Sequence, residues 1–196
     1  MKNYKKNLEL LSKNYVYSKE MEHDACGVGV IVSTEGKKSR EIVEHGIEAL
    51  KAVWHRGAVD ADGKTGDGAG IHVEIPKDFF IEKIEVTGHD YDNAEICVGM
   101  IFLPRNDYSA QESCKTIVES ELTKNNFSIY GWRQVPVNPK ILGQKALQTM
   151  PEIIQVLFKS NDQNLLDKNL ERKIYETRKK IEKKAFQLSL NNFYIC

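Results

Sequence analysis

EHDACGVGVIV, residues 22–32, sets a cysteine between an acidic stretch and a run of glycine, valine and isoleucine. A short, continuous apolar run rich in β-branched side chains is the signature of a strand buried on both faces. The pattern predicts such a strand from Cys26 to Ser33, with Gly27 and Gly29 leaving room for another backbone or a ligand to come close. Residues 1–24 are polar, rich in lysine and asparagine, and lack a clean hydrophobic period. They read as a leader, which makes residues 1–25 a propeptide and opens a folded domain, 26–196, on the cysteine.

Working outward, SREIVEHGIEALKAVWH places Ile42, Val43, Gly46, Ile47, Leu50, Val53 and Trp54 on one helical face, with Ser39 as N-cap and Gly57 as the stop. The glycine-rich loop HRGAVDADGKTGDGAG, residues 55–70, leads into IHVEI, whose alternation up to Pro76 predicts a second strand. EICVGMIFLP predicts a third, followed by a helix from Ser109 to about Lys124 in which Ser109 and Glu112 have capping-box spacing. FSIYGWRQVPV and EIIQVLFKS predict two more strands separated by turns. LDKNLERKIYETRKKIEKKAFQLSL reads as a long helix whose charges form a solvated face, and NFYIC as a last strand. A chain stopping on an apolar strand reads as a truncated piece. Strands apolar on both faces, with helices kept apart from them, predict an α/β or α+β layered domain, sheet packed on sheet and covered by helices.

The bulk numbers bound the function. Lys and Arg total 28 and Asp and Glu total 28, so no net field draws the chain to nucleic acid or an anionic membrane. No apolar run reaches the roughly 18 residues of a membrane span, and the expectation is a soluble, cytoplasmic protein. Cys26, Cys97, Cys114 and Cys196 show no zinc spacing, and no disulfide framework is expected. Cys97 and Cys114 fall on the apolar phase of their segments and read as buried structural thiols.

Two loop motifs miss their spacing. Between Gly57 and the Gly63-Lys64-Thr65 triplet stand five residues where a P-loop needs about four. A calcium loop built on Asp60 and Asp62 needs glycine at position 65 and glutamate at position 71, which are threonine and isoleucine. CGVGVIV also lacks the third glycine of a dinucleotide fingerprint. Cys26 keeps two readings: a small buried residue opening a core strand, or a nucleophile. A thiol with pKa about 8.5 needs a base. Cleavage between Ala25 and Cys26 would supply one in the new α-amino group, whose pKa of about 7.7–8.0 suits proton shuttling at physiological pH.

EHDACGVGVIV, WHRGAVDADGKTGDGAGI and GWRQVPVNPKILGQKALQTMPEIIQVLF together resemble the amino-terminal class II, N-terminal-nucleophile glutamine amidotransferase domain of glutamate synthase large subunits. The second and third blocks are the more specific to that family. The resemblance implies a four-layer αββα sandwich, incomplete at its C-terminus, and Cys26 as residue one of the mature enzyme. It implies attack of the sulfur on the glutamine side-chain amide, release of ammonia, and hydrolysis of a thioester to glutamate. Arg56 and Gly57 match the family's RG element beside the nucleophile, Arg56 holding backbone carbonyls and Asp67 orienting the same turn. The oxyanion pair and the groups holding the glutamine carboxylate are expected beyond residue 196, so these residues alone are expected to be inactive and poorly folded. No cofactor is expected here. FMN, an iron–sulfur cluster and electrons from NAD(P)H or ferredoxin are implied for the full-length enzyme. The implied partners are the 2-oxoglutarate-binding synthase domain of the same chain and a small reductase subunit. Two alternatives stay open: a class II enzyme feeding a sugar-phosphate or phosphoribosyl diphosphate acceptor, and a non-catalytic interaction module.

Overall fold

Every second residue of Cys97–Leu103 is buried, the period that a strand with one face on a core imposes. The computed structural model describes residues 27–53, 59–66, 68–162, 165 and 167–196. They fall into two units: one holds the chain up to Ala58 together with Gly66–Ile71, and the other holds Val59–Thr65 and His72–Cys196.

The first unit contains helix α1, Arg40–Ala52. Ser39 caps it as the sequence predicts, its hydroxyl accepting from the Ile42 N–H at 3.3 Å. Ile42, Val43, Gly46, Ile47 and Leu50 are its half-buried stripe. The helix closes at Ala52, with the Val53 N–H turned back to Ala49 O at 3.3 Å, so it ends before Gly57 is reached.

The second unit runs α2 (Lys77–Val86), β1 (Cys97–Leu103), α3 (Tyr108–Lys124), β2 (Phe127–Gln134), a 3₁₀ turn (Pro139–Ile141), α4 (Gln144–Thr149), β3 (Glu152–Ser160), α5 (Asp167–Gln187) and β4 (Tyr194–Ile195). The four strands form one antiparallel sheet in the order β2-β3-β1-β4. Two helices cover one face. α3 presents Cys114, Ile117, Val118 and Leu122, and α5 presents Leu170, Thr177, Ile181 and Ala185, both at the three- and four-residue spacing of a buried helical stripe. They meet Cys97, Ile101, Ile154, Val156 and Phe158 of the sheet. On the opposite face Phe80 and Ile84 of α2 pack on Tyr130 and Leu157.

Several expectations need correction. Residues 27–33 form no strand: Val28, Val30 and Val32 are 89%, 81% and 70% exposed. IHVEI is likewise unpaired, with only Ile75 tucked against the second cluster. A strand is defined by its hydrogen-bonding neighbour, and neither segment has one among the described residues. The cap of α3 is Asp107, whose carboxylate accepts from Ala110 N–H at 2.9 Å, and Ser109 sits inside the first turn. α4 stands where only turns were expected, and α2 falls in a stretch for which the sequence predicts no element. The mixed helix and antiparallel-sheet class agrees with the layered expectation. The described residues supply one sheet, so the second sheet of a four-layer sandwich is not among them.

Candidate active site

Cys26, Arg56, Gly57 and Asp67, the four residues that the sequence singles out, lie outside the described residues. Their chain neighbours do not. Gly27 follows Cys26, and a Cβ placed on it would stand 3.8 Å from Val53 Cγ2, an ordinary van der Waals contact. The first residue after the cysteine therefore lies beside the C-cap of α1, three positions before Arg56. On its solvent side α1 carries Arg40 paired with Glu44 at 3.1 Å, and His45 between Glu41 and Glu48.

The loop Asp60–Thr65 is built around one carboxylate. Asp62 accepts from the Thr65 hydroxyl at 2.6 Å and from the backbone N–H groups of Thr65 and Lys64 at 2.7 and 3.0 Å. These bonds, the Thr65 hydroxyl foremost, with a lesser contribution from the Lys145 N–H, hold its pKa well below the usual carboxylate range. The Asp60 N–H donates to Thr65 O at 2.7 Å and closes the loop. Its oxygens thus serve the chain's own donors, which explains in physical terms why the near-P-loop and near-calcium spacings are not what organises this segment. The loop docks on α4: Lys145 Nζ reaches both Asp60 oxygens at 2.8 and 2.7 Å, and Ala146 N–H points to Thr65 Oγ1 at 3.4 Å. Gly143, the N-cap of α4, has no side chain with which to cap it. A Cβ there would collide with Thr65 Oγ1 and Asp62 Oδ2 and lie 2.6 Å from Thr65 N. Sequence reading missed this assembly. Its one local trace is DGKT, an aspartate followed at two and three positions by the N–H groups it binds, as in an Asx turn.

The GWR block is structural. Gly131 sits at φ +151° beside a β-bulge at Tyr130, where a Cβ would lie 2.7 Å from Thr87 Cγ2. Trp132 donates its indole N–H to Glu119 of α3 at 2.7 Å, and Arg133 donates to Gln155 at 2.7 Å while stacking over Phe79. Cys97 and Cys114 are buried as expected, and burial pushes their pKa values up to about 12 and about 11. An open groove of about 430 Å³ beside the start of α3, lined in part by Arg105, Tyr108, Gln111 and Lys115, has no cysteine, serine or threonine in its lining. Among the described residues no helix is long and apolar enough to cross a membrane.

The chain belongs to the class-II glutamine amidotransferases, whose family pattern fits residues 26–196. It is 50% identical over 193 residues, 98% of its length, to the glutamate synthase (NADPH) large chain of Azospirillum brasilense, of which it covers 13%. It is 38% identical over 194 residues, 95% of its length, to the ferredoxin-dependent glutamate synthase of Pyropia yezoensis, covering 12% of it. With the chloroplastic/mitochondrial ferredoxin-dependent glutamate synthase 1 of Arabidopsis thaliana it shares 40% over 163 residues, 83% of this chain and 10% of that one. The chain thus spans little more than a tenth of the length of these relatives. The thiols described do not fit an iron–sulfur cluster, which needs thiolates held together: Cys97 and Cys114 are protonated groups inside the core, and Cys196 is exposed.

Proposed function

We propose that this chain is glutaminase sequence of a glutamate synthase, hydrolysing glutamine at Cys26 and supplying ammonia for glutamate synthesis from 2-oxoglutarate. The observation that carries the reading is the family match, which begins at Cys26, joined to identity across nearly the whole chain with proteins named glutamate synthase.

Residues 1–25 act as a leader, and their removal frees the Cys26 α-amino group. That amine, with a pKa of about 7.7–8.0, takes the thiol proton, and the thiolate forms a bond to the side-chain carbonyl carbon of glutamine. Collapse of the tetrahedral adduct breaks the C–N bond, and the proton goes to the leaving ammonia. Water then cleaves the thioester, returning the thiol and releasing glutamate. Arg56 fixes the turn around the cysteine, Gly57 lets that turn approach, and Asp67 orients it. Oxyanion donors, worth about 2.7–4 kcal/mol, belong to residues outside this sequence. The remaining domains of the polypeptide hold the 2-oxoglutarate site, and FMN, an iron–sulfur cluster and NADPH or ferredoxin, with a reductase subunit, supply its electrons. The cytoplasm is the compartment such chemistry suits.

Cys26→Ala in the full-length enzyme tests the reading. Glutamine-dependent glutamate formation is expected to vanish while ammonia-dependent formation persists; a variant that still consumes glutamine refutes it.

A further inference from the structure

Where β1 and β2 end and β3 begins, the groove of about 430 Å³ beside α3 is lined by charges of both signs that do not pair with each other. Glu152 opens β3 at a position that strand alternation turns inward. Ile154, Val156 and Phe158, at the same parity, are buried, and so is Leu103, its partner across the ladder. A half-buried carboxylate thus stands where an apolar side chain would continue the core. It accepts from the Gln134 amide through Oε1, and among the described residues Oε2 has no hydrogen-bond partner. Arg105, two residues beyond Leu103, is carried on a turn pinned by Gln111, a buried side chain of α3 whose amide donates to Pro104 O at 2.8 Å and to Arg105 O at 3.2 Å. Its guanidinium meets no carboxylate among the described residues and donates to the weak acceptor Met150 Sδ at 3.9 Å. The other cation of the lining, Lys115, is already paired with Glu112 at 2.9 Å.

We propose that this groove binds a small zwitterionic α-amino acid, the Arg105 guanidinium taking its carboxylate and Glu152 its ammonium. The volume falls in the range of small-molecule sites, about 300–1,000 Å³. An arginine fork matches a carboxylate with two parallel N–H donors, a geometry that a thioether sulfur does not use. Direct pairing of Arg105 with Glu152 would neutralise both, but Gln134 holds the carboxylate and Gln111 anchors the arginine's backbone. A ligand carrying both charges satisfies the two groups at once. A simple anion would satisfy Arg105 and be repelled by Glu152, and a simple cation would satisfy Glu152 and face Arg105 and Lys115. The two charges sit on anchored backbone, one at the end of a paired strand and one on a pinned turn, so little ordering is needed on binding. The inference goes beyond the glutaminase reading, since it uses no part of the Cys26 chemistry and stands whatever reaction the chain serves.

Equilibrium dialysis of the full-length enzyme against radiolabelled L-alanine tests this. Saturable binding is expected, and Arg105→Gln and Glu152→Gln are each expected to weaken it by about tenfold or more, the loss of one charge-assisted contact. Competition on the unaltered enzyme gives a readout that no variant's folding disturbs. Unlabelled glycine is expected to displace the label, while propionate and ethylamine, each with one of the two charges, are expected to compete at least about tenfold more weakly. Absence of saturable L-alanine binding overturns the proposal, as does binding that neither substitution weakens. Propionate displacing the label as well as glycine does overturns it too, because the groove is then an anion site in which Glu152 plays no part.

Discussion

Cys97 and Cys114 are alike in their surroundings and, on this account, unlike Cys26 in their role. Both were legible in the sequence, because each falls on the apolar phase of its own segment and needs no distant information to be placed. Their thiols stay protonated at neutral pH, since burial holds the pKa values near 12 and 11. Treatment of the folded protein with iodoacetamide at pH 8, followed by peptide mapping, is expected to modify the exposed Cys196 and to leave Cys97 and Cys114 untouched until denaturant is added. Modification of either at the same rate in the native and the denatured protein contradicts the burial. Asp62 was not legible in the same way. Its loop partners are local, but its close packing against the start of α4 needs the missing side chain of Gly143, and nothing within the loop announces a residue so far along the chain.

Among the elements, β1 and β3 were read almost to the residue, because each is a buried run flanked by polar turns and the two pair in register from Cys97 opposite Phe158 to Leu103 opposite Glu152. Runs 27–33 and 71–75 have the same composition and did not become strands, since composition supplies the side chains and pairing supplies the strand. The charge run of α5 also hid a contact. Lys184 and Lys124 flank Glu121, a buried carboxylate of α3, and Lys180 reaches Asn125 at 2.6 Å, so part of the face expected to be solvated binds α3. β2 depends on Gly131, at a backbone angle other residues avoid and with Thr87 of α2 against it. Gly131→Ala is expected to cost about 1–3 kcal/mol, read as faster amide exchange confined to β2 and α2. Exchange unchanged in both elements contradicts the packing described.

For the whole molecule, the ionisable groups define the pH range in which the sheet unit holds together. Asp92 has its pKa lowered to about 2, chiefly by the Lys159 ammonium and then by the Tyr130 hydroxyl, which donates to it at 2.6 Å. Hydrogen bonding from Lys184 lowers that of Glu121. A depressed carboxylate contributes stability above its unfolded pKa and loses it as pH falls, so the acid limb begins near pH 4 and runs toward pH 2. The raised thiols act in the other sense. Unfolded cysteines ionise near pH 9 while folded Cys97 and Cys114 do not, so their contribution is complete below pH 9 and is lost as pH climbs toward 12. Urea midpoints measured across pH are expected to fall on both sides of this window, and a midpoint still rising between pH 9 and 11 contradicts the alkaline limb.

The proposed chemistry depends on a sulfur and a free amine on the same residue. Incubating the mature full-length enzyme with a glutamine-like diazo-ketone and sequencing the labelled peptide tests that most directly. The account requires one adduct per chain, on the sulfur of a peptide whose first residue is Cys26. A label on any other residue, or an active enzyme that retains residues 1–25, contradicts it.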